Sequence, residues 1–178
     1  MFEKTLNLTS EEAYTQLKMQ IVQRKWKIIS EEAPKKISVV QGSIWGTMPK
    51  TAQKEMTFTL QEDSSETKVE SNSVLTPKYI ALTLAGIVFS IALIVICVWM
   101  ALNFQAYIST GAAGFWGWLV QAGGILNPDK AALFARLSWF LTAFLAATLV
   151  VEAIVVVRVK AKIDSLAEEI VKTLVQLK

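Results

Sequence analysis

Between residues 79 and 128 the chain carries no charged side chain, and between residues 131 and 157 only Arg136 and Glu152 are charged. Uncharged apolar runs of this length are what a bilayer core selects, since about 20 such residues suffice to cross it. Two spanning helices are predicted, over residues 79–102 and 131–157. At about 1.5 Å per residue the first is roughly 36 Å long, enough to cross about 30 Å of hydrocarbon with some tilt. Tyr79 and Trp99 sit near its ends, where aromatic rings prefer the headgroup level. Gly86 and Ser90, with Ala81, Ala85 and Ala92, are small enough to let another helix approach, and Gly86 and Ser90 are taken as oligomerisation positions.

The stretch between the spans, residues 103–130, is apolar but broken by Gly111, Gly114, Gly117, Gly123 and Gly124. Glycines at that density make a poor continuous helix. It reads as an interfacial or re-entrant connector on the far side of the membrane from the N-terminus. A third span is the alternative. The tight turn at residues 127–130 opposes it, and so does the basic tail, which would then lie outside. Asn127, Pro128 and Asp129 make a good helix start: an N-cap, a proline in the first turn and an acid at the positive end.

Residues 1–78 are enough for one small soluble domain. Phe2, Leu6 and Leu8 alternate with polar residues, as in a half-buried strand. Thr9 followed by Glu12 is a capping box, and Ala13, Tyr14, Leu17 and Ile21 form the apolar stripe of the helix it starts. Strands are predicted over residues 26–30, 37–42, 55–61 and 67–75, with charged turns at 31–36 and 62–66. The order is β-α-β-β-β-β, with one helix on one face of an antiparallel sheet. The other face carries Lys27, Ile29, Val40, Thr57, Thr59, Lys68, Glu70 and Val74, and is expected to be solvated. In topology alone this order resembles small sheet-and-helix halves of TATA-binding-protein-like and START-like lipid-binding folds. No function is carried over from that resemblance.

The segment 43–54 is long for a hairpin. Its candidate binding residues are Ile44, Trp45, Met48 and Lys50. One reading is a contact loop for the bilayer or a partner; the other has the apolar members fold back to close a small core.

Behind the second span, residues 158–178 contain no proline or glycine. Ile163, Leu166, Ile170, Leu174 and Leu177 recur at spacings of four, three, four and three, a heptad-like seam. The tail is expected to continue the second span as one amphipathic helix about 70 Å long in all. A seam this short is marginal in water, so it must pack on the head, a second copy or the membrane surface. It is taken as an oligomerisation element.

Basic residues number 11 in segment 1–78 and 5 in 158–178, against Lys130 alone in 103–130. Both termini are therefore expected in the cytoplasm. No cleavable signal is read at the N-terminus, so the first span is expected to direct insertion. Net charge is +3, without the dense basic stripe of a nucleic-acid binder.

There is no histidine, and the single cysteine, Cys97, lies within the first apolar run. The commonest general base and the commonest metal ligands are thus missing, and no catalytic residue, metal or cofactor is predicted. An enzyme acting on lipid would have to rely on Glu, Asp, Lys or Tyr.

The fold class expected is membrane α+β. The function expected is non-enzymatic: a self-associating membrane protein, partnered by membrane lipids and by copies of itself, whose cytoplasmic head binds a protein or lipid ligand in an adaptor, scaffold or regulatory role. The alternative is a small homo-oligomeric channel or transporter that uses the intramembrane polar residues Arg136 and Glu152 and the glycine-aromatic connector.

Overall fold

The computed structural model describes residues 2–63, 66–122 and 125–176. They form two compact units, Met1–Thr83 with Val155–Lys178, and Leu84–Ile154.

The first unit is built on an antiparallel sheet of β1 (Phe2–Leu6), β2 (Lys27–Glu32), β3 (Lys36–Gln41), β4 (Lys54–Asp63) and β5 (Glu66–Leu75), in the order β1-β5-β4-β3-β2. Period-2 alternation sets its faces. Ile37, Val39, Met56, Phe58, Leu60 and Val69 point into the core and are buried. On the opposite face Ile29 and Val74 are exposed, and Lys68 bridges Glu3 at 3.0 Å and Glu70 at 3.2 Å. That is the solvated face the alternation predicts. Glu31 and Glu32 belong to β2 rather than to a turn, and the turn is confined to residues 33–35.

Helix α1 (Ser10–Gln23) begins on the expected capping box: Thr9 Oγ1 accepts the Glu12 N–H (3.3 Å), and the Glu12 carboxylate accepts the Thr9 N–H (3.1 Å). It ends with Lys25 in the left-handed region (φ 56°) and the Trp26 N–H on the Ile21 carbonyl (3.1 Å), which satisfies one of the last free acceptors.

The chain's far end completes this unit. Helix α3 (Pro128–Ala161) stops, residues 162–164 turn, and α4 (Ser165–Gln176) runs separately. Leu166, Ala167, Ile170, Val171 and Leu174 are buried in one core with α1 and the sheet. The expectation of an unbroken helix through the tail is therefore corrected, as is that of a core covered by one helix. The heptad-like spacing does mark a buried seam, but its partner is the head of the same chain. Ile163 lies half-buried in the turn, and Leu177 falls outside the described residues. The i,i+4 pair Glu168–Lys172 forms at 2.6 Å.

The second unit holds most of two long helices, α2 (Pro77–Thr110) and α3. Both are long and apolar enough to cross a membrane. α2 runs two turns further than predicted, to Thr110. Beyond it come a 3-10 helix (Phe115–Val120) and a minimal antiparallel pair, β6 (Gln121–Ala122) with β7 (Ile125–Leu126). Among the described residues the connector contains no third long helix. Asn127 caps α3 as expected, its Oδ1 accepting the Lys130 N–H at 3.0 Å.

Candidate functional site

The segment between β3 and β4 is an ordered loop. Gly42 sits at φ 91°, where a Cβ would lie 2.4 Å from the Ala52 carbonyl oxygen, and a Cβ on Gly46 would lie 2.1 Å from that of Thr51. Only glycine permits both close approaches. The loop closes on itself through the Ser43 N–H on Thr51 O (2.8 Å), the Gln53 N–H on Ser43 O (3.0 Å) and the Ala52 N–H on Met48 O (2.8 Å).

Closed by these bonds, the loop turns two large apolar side chains outward. Trp45 is 74% exposed and Met48 65%. They do not fold back onto the core. Ile44 is half-buried. Behind the tip, Ala52 packs with Tyr79, in the first turn of α2, and Val159, in the last turn of α3. The Tyr79 hydroxyl donates to Gly46 O at 2.9 Å. The loop is thus fixed to the base of both long helices.

Of its two lysines, Lys50 is an ion-pair partner: its Nζ lies 2.5 Å from Glu169 of α4, which Arg24 also approaches at 3.9 Å. Lys54 has no exposed surface. Its Nζ donates to Pro49 O (2.9 Å) and to Ile163 O (2.8 Å), in the turn between α3 and α4. Burial pushes its pKa down to about 8, partly opposed by the nearby Asp164 carboxylate. Lys54 was not singled out from the sequence. The signal was present: it shares the period-2 register of Met56, Phe58 and Leu60.

In the second unit one face of each long helix is covered. On α2 it runs through Ile87, Ser90, Ile94, Cys97, Ala101 and Phe104; on α3 through Ala131, Ala135, Ser138, Thr142, Leu145, Leu149 and Glu152. Steps of three and four residues keep these positions on one side of each helix. Cover is complete only near the connector, where Phe104 and Phe134 have ring centroids 5.7 Å apart. There Trp99 stacks on Phe115, Trp116 meets both edge-on, all three centroids lying within 5.3 Å of one another, and Asn103 Oδ1 accepts the Trp116 backbone N–H at 3.2 Å.

Glu152 Oε2 is shielded from solvent and takes no hydrogen bond among the described residues. Arg136 is exposed, one position along from Ala135 of the covered face. The structure does not bring Arg136 and Glu152 together. Ser90 belongs to the covered face, whereas Gly86 borders open space. Leu166, Ile170 and Leu174 are occupied within the head, as described above.

No protein-family model, curated protein or solved structure matches the chain.

Proposed function

We propose that this chain is a non-enzymatic, self-associating integral membrane protein with an adaptor or scaffold role. In this reading α2 and α3 cross the bilayer as a hairpin, and both chain ends meet in one cytoplasmic head. The loop over residues 42–53 is the head's binding element.

One observation carries the reading. Residues 84–96 of α2 and 139–154 of α3 are almost wholly apolar, yet none of them is buried. Phe89, Val95, Phe140, Phe144 and Val150 are each more than half exposed. Leaving such side chains in water forgoes about 1.5–3 kcal/mol apiece. Lipid or further helices must cover them. The exposed faces of the spans, with Gly86 open to approach, are the surface for self-association. The distribution of basic residues supports placing the head inside the cell.

The experiment is cysteine accessibility on the full chain, with Cys97→Ala as background and single cysteines at Thr15 and Ser109. In intact cells an impermeant maleimide is expected to label the Ser109 site and to reach the Thr15 site only after permeabilisation. Labelling of both from outside removes the topology. A particle with the mass of a single chain in every detergent and in nanodiscs removes self-association.

A second reading, transport by an oligomer, is favoured by the shielded, unbonded Glu152 Oε2. Flux into proteoliposomes that is lost with Glu152→Gln supports it. Absence of flux for the unmodified chain under any ion gradient removes it.

A further inference from the structure

The loop's occupant follows from what holds it in place. The Tyr79 hydroxyl that bonds to Gly46 belongs to the third residue of α2. The tip therefore sits where the apolar run begins, and the Ala52–Tyr79–Val159 cluster brings the last turns of α3 to the same place.

Three further features share that end. Val74, three residues before the helix starts, is 56% exposed, and Ile80 is 50% exposed. Lys78, Arg158 and Lys160 are exposed cations. Lys50, the one cation of the loop tip, is already paired with Glu169, so the tip itself presents apolar groups.

An indole and a thioether facing outward, with exposed cations at the root of the two apolar helices, match the headgroup zone of a bilayer. Tryptophan favours that level because its ring is apolar and its N–H finds a wet acceptor. Methionine is unbranched and fits irregular surroundings. Cations beside them meet lipid phosphates.

We propose that Trp45 and Met48 form a foot that inserts into the headgroup zone of the membrane crossed by α2 and α3, holding the head against the bilayer. The occupant is lipid, not a protein. This inference rests on the spanning assignment proposed above and names the ligand of the loop.

The test uses the full chain in nanodiscs of phosphatidylcholine and phosphatidylglycerol, with Cys97→Ala as background. Nitroxide labels are placed singly at Trp45→Cys, Met48→Cys, Thr15→Cys on the outer surface of α1 and Val95→Cys in mid-helix. Power saturation with oxygen and with a neutral nickel chelate reads depth. The expected result has both loop sites shielded from nickel and open to oxygen, at a depth between the Thr15 and Val95 references. If the Val95 site lies in lipid but both loop sites match the Thr15 site, the foot is wrong and the spans stand. Loop sites closed to both reagents mean a protein contact and also overturn it. A Val95 site open to nickel overturns the spanning assignment, and the foot with it.

Discussion

Lys54 and Ile163 stand 109 positions apart in the chain, and the lysine Nζ donates to the isoleucine carbonyl oxygen at 2.8 Å. This bond joins the start of β4 to the turn where α3 ends. With the second bond, to Pro49 O at 2.9 Å, it ties the loop, the sheet and the base of the second long helix to one buried ammonium.

Lys54→Met is expected to destabilise the head by about 2–4 kcal/mol, because two carbonyls lose their donor in a site closed to water. Chemical denaturation followed by tryptophan fluorescence measures it. A loss under about 0.5 kcal/mol would mean that water takes over both carbonyls.

The same residue predicts a pH dependence. Unfolded, Lys54 holds its proton up to about pH 10.5; folded, it releases it near pH 8. Between those values the unfolded state binds more protons, so stability rises with pH across that window. The neutral amine still has two N–H groups for its two carbonyls. The gain is on the order of 3 kcal/mol at most, and Lys54→Met should abolish that part of the profile. Unfolding free energies measured at pH 7.5, 8.5 and 9.5 on both proteins decide it.

Ile170→Ala with Leu174→Ala is expected to unfold the head rather than dissociate an assembly, since both side chains are buried against α1 and the sheet. Large-to-small core changes cost about 2–5 kcal/mol each. Protease susceptibility of segment 1–78 is the readout. A double variant whose head stays resistant while the particle halves in mass would return the seam to an intermolecular role.

Gly114→Ala is expected to loosen the connector. Its new Cβ would lie 2.3 Å from the Asn103 side-chain amide, which must swing away and release the Trp116 N–H. The cost is about 1 kcal/mol, one hydrogen bond. Thermal unfolding in detergent should match that of Asn103→Ala, and the double variant should be no worse than either alone.

Glu152→Gln is expected to stabilise the full chain by about 1–2 kcal/mol, because shielding a neutral amide costs less than shielding a carboxylate. Thermal unfolding in detergent reads the sign. Destabilisation of similar size would show that Glu152 holds a cation or a group on another chain.

Much of this was legible in local periodicity. Thr9 and Glu12 announced the capping box, Met56, Phe58 and Leu60 the core face of β4, and Asn127 with Pro128 the start of α3. The break at residues 162–164 was not legible. No proline or glycine marks it, and what occupies the Ile163 carbonyl there comes from β4. The exposure of Trp45 and Met48 was hidden too. Their apolarity fitted a closed core as well; two glycines let the loop close tightly on itself and leave them outside.

The sequence by itself determined where the two long apolar helices and strands β1 to β5 lie, to within a turn or two at their ends, because those choices depend mostly on residues three or four positions away. The tertiary structure alone decided that both chain ends share one head, that the tail's seam is spent there, and that Lys54 is buried. Covering a face and satisfying a carbonyl both require partners far along the chain, and the spacing of apolar residues says that a face will be covered without saying by what.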